Sequence, residues 1–140
     1  MEIKVKLEDG AYLPQKAYPT DAGYDLRARE AFTVPAGGSA VHDTGVHMAI
    51  PEGYGGLLVS KSGLNVRNGL NGTGLIDSSY RGSIVVKLYN ADLGRDYAFS
   101  SGDKIIQLVI VKICEGETLK VVSELDSTER GTGGFGSTGK

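Results

Sequence analysis

Apolar residues in this chain recur at every second position, in runs of a few residues, and glycine interrupts nearly every run. That pattern excludes a helical bundle, because no stretch sustains the 3.6-residue stripe that a packed helix requires. "EIKVKLE" sets Ile3, Val5 and Leu7 on one side and Glu2, Lys4 and Lys6 on the other. "GSIVVKLYN" and "DKIIQLVIVKI" are longer runs rich in Val and Ile, the β-branched residues suited to central strands. "LKVVSEL" reads as a last short strand, and a single helical turn is expected around "SGLNVRNG". The 21 glycines and 4 prolines mark turns between many short strands. The predicted fold is all-β, a sandwich, barrel or jelly roll.

At 140 residues the chain reads as one domain, with no repeat and no interdomain linker. Residues 1–125 are expected to form the β body. Residues 126–140, where "SELDSTER" loosens into "RGTGGFGSTGK", are expected to form a mobile arm, since so many glycines lose much entropy on ordering. The arm nevertheless carries Arg130 and a lone aromatic, Phe135, which a passive tail does not require.

A formal net charge of -2 without a Lys/Arg run argues against duplex nucleic acid or an anionic membrane as partner. Cys114 is the only cysteine, which suits a reducing, cytoplasmic setting; in "QLVIVKICEG" it reads as a small buried hydrophobe. The two histidines, His42 and His47, do not stand at a metal-ligand spacing for zinc. "MEIKVKLEDG" has no apolar signal core, and no run approaches membrane-spanning length.

Four stretches share the oddity of the arm, polar groups and glycines packed between strands: "DAGYDLRA", "SKSGL", "NGTGLIDSSYRG" and "GDKIIQL". Each alone reads as a turn or loop. In this order, with "RGTGGFGSTG" as the fifth, they resemble the motifs of the trimeric dUTP pyrophosphatases (dUTPases) from about Asp21 to Gly139. The resemblance implies a distorted jelly roll, a homotrimer with sites shared between subunits, dUTP as substrate and Mg²⁺ as cofactor.

By resemblance, Asp77 activates the water that attacks the α-phosphorus, a task suited to a carboxylate because it only accepts hydrogen bonds. Tyr80 lies against the deoxyribose and excludes a 2′-hydroxyl. Asn71 reads the uracil edge, Gly74 admits the base to the backbone, and Leu75, Ile76 and Val85 line the slot. Lys61, Ser62 and Gly63 contact the phosphates, although the commoner family pattern is Pro-Arg-Ser-Gly and Lys61 supplies a point charge without arginine's planar fork. Asp25 helps hold Mg²⁺, directly or through water, and Gln107 bonds a phosphate or a metal-bound water. In the arm, Arg130 clamps the γ-phosphate, Phe135 stacks on the uracil, and Gly136, Ser137 and Thr138 turn donors onto the terminal phosphate.

Three rival readings remain at this stage. A dCTP deaminase or a bifunctional deaminase-pyrophosphatase shares the fold but requires a catalytic glutamate, and Glu115 and Glu117 stand in an ordinary turn. A non-catalytic nucleotide sensor is the second. A structural or sugar-binding jelly roll is the third, and it leaves Asp77, Tyr80 and the arm without a purpose.

Overall fold

The computed structural model describes residues 1–136 and 139, and among these the period-two alternation becomes short strands and one helix. The strands are β1 Lys4–Leu7, β2 Gly23–Arg27, β3 Phe32–Val34, β4 Ser39–Asp43, β5 Val46–Ala49 and β6 Tyr54–Val59. After the helix α1 Ser62–Asn68 come β7 Leu70–Asn71, β8 Thr73–Ile76, β9 Val85–Asn90, β10 Tyr97–Phe99 and β11 Lys104–Lys112. All pairings are antiparallel. The larger sheets run β2-β11-β6-β8 and β4-β9-β7, and β1-β5 and β10-β3 are two-stranded. This is the expected all-β sandwich of jelly-roll type.

β9 shows how the pattern makes the fold. Val86, Leu88 and Asn90 are buried while Val85, Lys87 and Tyr89 are exposed, so one face enters the core and the other stays open. Leu26, Leu58, Leu88, Ile106 and Leu108 meet in that core with Val46 and Met48. Removing such side chains from water supplies the main favourable term in folding. α1 ends where Gly69 takes a left-handed conformation (φ 67°) and donates its N–H back to the carbonyls of Asn65 and Leu64.

Two expectations fail. No strand forms over "LKVVSEL": residues 112–132 are all exposed, and Leu119, Val121 and Leu125 find no sheet edge among the described residues. Cys114 is exposed as well, because β11 ends at Lys112 and the apolar run leaves the sheet before reaching it.

Candidate functional site

β8 and β9 converge on a groove of about 240 Å³ lined by Leu75, Ile76, Asp77, Tyr80, Ser83 and Val85. The outward face of β9 delivers Val85, the end of β8 delivers Leu75 and Ile76, and Asp77 follows directly. The turn from Asp77 to Ser83 closes on itself. The Tyr80 amide donates to the Asp77 carbonyl (3.1 Å), and the Arg81 guanidinium donates to the Ser78 and Tyr80 carbonyls (2.6 and 2.8 Å). The Tyr80 hydroxyl donates to the Ser83 carbonyl at 3.0 Å, which holds the ring at the groove. Among the described residues no hydrogen bond engages the Asp77 carboxylate, so it is free to orient a water.

Two posts pin the back of this turn. The Ser83 hydroxyl donates to Asp43 Oδ1, which also accepts the Gly45 amide. His47 Nδ1 lies 2.8 Å from the Arg81 carbonyl, and its Nε2 lies 2.8 Å from Glu8 Oε1. Both partners are acceptors, an arrangement that favours the imidazolium form, in which both ring nitrogens donate. Consistent with this, the Arg81 carbonyl and then the Glu8 carboxylate raise the His47 pKa above its ordinary value. His42 is the opposite case. It is buried, accepts the Arg29 amide at Nε2 (2.9 Å), stacks on Phe32, and burial pushes its pKa down.

A second polar cluster sits on the β2-β11-β6 sheet. Gln107 pairs across with Asp25 of β2 and with Val59 of β6, so its face is that of Asp25. An unbroken β11 would put Lys104 on the face of Ile106 and Leu108, inside the core. The register of β11 against β2 shifts between Lys104 and Ile106, and this bulge turns Lys104 over to the side of Asp25. Lys104 Nζ then stands 2.7 Å from Asp25 Oδ2, while Lys61, just beyond the end of β6, places Nζ 2.5 Å from Oδ1. Gln107 Nε2 reaches the same Oδ1 only at 3.5 Å. Asp25 is 4% exposed. Burial alone would raise its pKa, but hydrogen bonds from Lys104 and Lys61 outweigh that and hold it below the usual value.

Eight of the sequence-derived residues fall into two groups. Leu75, Ile76, Asp77, Tyr80 and Val85 share the groove, and Asp25, Lys61 and Gln107 share the sheet cluster. Ser62 and Gly63 open α1 and are exposed. Asn71 is exposed on β7 opposite Tyr89, outside the groove lining. Gly74 pairs with Leu58, where a Cβ would meet Leu58 Cδ1 at 3.1 Å. Arg130, Phe135 and Gly136 are exposed; Arg130 Nε donates to the Gly133 carbonyl, and Phe135 takes φ 52°. Ser137 and Thr138 lie outside the described residues.

The sequence reading missed two residues. Lys104 completes the cluster around Asp25, a role visible only once the bulge is seen. Gly82 lies under the Tyr80 ring: a Cβ there would overlap Tyr80 Oη and Cζ and stand 2.9 Å from Cε2. The spacing Tyr-Arg-Gly was the available signal for it.

A family model described as dUTPase matches residues 9–139. The deoxyuridine 5′-triphosphate nucleotidohydrolase of Yarrowia lipolytica is 43% identical over 142 residues, covering 99% of this chain and 90% of its own. A mutant of the Staphylococcus bacteriophage 80alpha dUTPase, solved with dUpNHpp, superposes with a TM-score of 0.87 at 34% identity, covering 99% of both chains. A mutant dUTPase from phage phi11 of S. aureus, described as revealing the coordination of a structural Mg(II) ion, gives 0.80 at 33% identity, covering 89% of this chain and 98% of its own.

Proposed function

The chain belongs to the dUTPase family and hydrolyses dUTP to dUMP and pyrophosphate, and we propose that Asp77 orients the attacking water toward the α-phosphorus. One observation carries this reading: the groove gathers Asp77, Tyr80, Leu75, Ile76 and Val85, and the Asp77 carboxylate faces it without a competing donor. The apolar strand ends take the uracil ring, with Asn71 and the backbone at Gly74 reading its polar edge. Tyr80 takes the sugar, and its ring leaves a 2′-hydroxyl neither room nor a partner. Water gives its proton to Asp77 as it attacks in line, and pyrophosphate leaves from the opposite side.

Lys61, Ser62, Gly63 and Gln107 neutralise and position the triphosphate. The arm from residue 126 onward closes over it, Arg130 on the γ-phosphate, Phe135 on the base, and Gly136, Ser137 and Thr138 around the phosphate end. A homotrimer is part of the proposal. It is supported by the lining of the Asp77 groove, which includes neither Asp25, Lys61 nor Gln107, and by the exposed apolar side chains of Leu119, Val121 and Leu125. A cytoplasmic setting is supported by the single cysteine. Among the described residues no helix is long and apolar enough to cross a membrane.

The described residues do not by themselves build a direct-ligand site for the Mg²⁺ that the family implies. Both carboxylate oxygens already face an ammonium group, and among the described residues no three His, Cys, Asp or Glu side chains gather around a common point. A metal ion in this reading is carried by the triphosphate, where it offsets phosphate charge.

Asp77→Asn tests the assignment. The variant is expected to bind a non-hydrolysable dUTP analogue as the wild type does while turnover falls by about 10²- to 10⁴-fold. Turnover near the wild-type rate would remove Asp77 from the mechanism.

A further inference from the structure

Asp25, the residue whose family role is metal holding, is occupied by two lysines of its own chain. One buried carboxylate faces two ammonium groups, so the cluster carries one positive charge more than it can neutralise. Gln107, which also reaches Oδ1, is neutral. We propose that Asp25 is a holding post for Lys61: the Lys61 ammonium rests on Oδ1 and transfers to the phosphates when nucleotide arrives, while Lys104 stays on Oδ2. The proposal rests on the dUTPase reading, and it adds an exchange of partners at the phosphate end of the site.

Charge balance explains why two lysines are present. Stripping a buried carboxylate of its only cation is strongly unfavourable. With Lys104 in place, Lys61 can leave without that penalty. The backbone explains which one moves. Lys104 belongs to β11 and is held in the sheet by pairing opposite Arg27. Lys61 sits in the connection between β6 and α1, extended at φ -71° and ψ 129°; among the described residues its backbone is tied through its carbonyl, which accepts the Asn65 amide. Its four-carbon stem can swing without disturbing a strand. Lysine also suits this role better than arginine at the same place. A bidentate guanidinium on Asp25 would be harder to detach than one ammonium hydrogen bond.

The consequence has an unusual sign. If Asp25 competes with phosphate for Lys61, then removing its charge strengthens nucleotide binding in the absence of metal. Loss of a carboxylate charge beside phosphates favours an anionic ligand in any case, so the mark of competition is a gain that depends on Lys61, whereas a purely structural Asp25 weakens binding. The test is calorimetric titration of dUpNHpp in EDTA against wild type, Asp25→Asn, Lys61→Met and the double variant. Asp25→Asn is expected to bind about tenfold tighter, because an isosteric amide releases the ammonium. The gain is expected to vanish in the double variant. No gain, or a gain that survives the loss of Lys61, would overturn the proposal. Failure of the wild type to bind dUpNHpp even with Mg²⁺ would instead overturn the functional reading beneath it.

Should Asp25→Asn not fold, the wild type answers directly. In ¹⁵N-lysine NMR the Lys61 Nζ resonance is expected to shift on adding dUpNHpp while that of Lys104 holds. Both shifting, or neither, would contradict the exchange.

Discussion

Gly82→Ala separates the function of the Asp77–Ser83 turn from its stability. A methyl group at Gly82 overlaps the end of the Tyr80 ring, so the ring must leave its present bed. The structural penalty is small for two reasons. The colliding atoms are the far end of a side chain, and Tyr80 is already 43% exposed. What is lost is the hydroxyl bond to the Ser83 carbonyl, about 0.5–1.5 kcal/mol and near the low end at the surface. The melting temperature should drop by only a few degrees.

Substrate choice should change far more. An apolar wall rejects an added hydroxyl by about 10²-fold, and displacing that wall should return about 10- to 100-fold of the discrimination against UTP, or about 1.4–2.8 kcal/mol. The assay is kcat/KM for dUTP and UTP measured side by side, with a thermal melt on the same samples. Tyr80→Phe serves as control: it removes the hydroxyl bond, keeps the ring, and should retain most of the selectivity. Unchanged discrimination in Gly82→Ala, or an equal loss of selectivity in Tyr80→Phe, would refute the reasoning that the ring's position sets sugar choice.

Truncation after Thr128 should leave the melting temperature within a few degrees of the full chain, since residues 112–132 are exposed and the hydrogen bonds of the described arm are local. If the arm closes over the nucleotide with Arg130 and Phe135, as proposed, turnover of dUTP should fall by at least about tenfold; undiminished turnover would contradict a closing role. The two histidines should bound stability from opposite sides. His47 is raised, so its contribution is complete below the unfolded value of about 6.5 and is lost as pH rises through its folded value. His42 is lowered, so its contribution is present above about 6.5 and is lost as pH falls through its folded value. Thermal melts across pH should show both limbs, with His47→Gln abolishing the alkaline one and His42→Gln the upper part of the acid one. The reverse assignment would contradict the hydrogen bonding described for each ring.

What could be read from residue order was what depends on local pattern. β9 declares its buried and open faces in "VVKLYN", and the groove residues Leu75, Ile76, Asp77, Tyr80 and Val85 follow from adjacent strands, so their proximity was legible. The Asp25 cluster was only half legible. Lys61 could be named as a cation, but not its rest position, which requires Asp25 and Val59 to flank the same residue of β11. Lys104 was invisible because a bulge reverses the side its side chain takes, and alternation alone assigns it to the core face. "LKVVSEL" misled for a related reason: alternation states a readiness to pair but does not supply an edge to pair with. Cys114 misled because an apolar run need not remain in its sheet to the last residue.

The expected activity is selective cleavage between the α- and β-phosphates of one deoxynucleotide. The direct measurement is product release from dUTP, dTTP, dCTP and UTP in parallel, with and without Mg²⁺, scoring pyrophosphate, orthophosphate and ammonia. Pyrophosphate and dUMP from dUTP, with little turnover of the other three, is the expected result. Comparable hydrolysis of dTTP, ammonia from dCTP, or orthophosphate as the first product would contradict it.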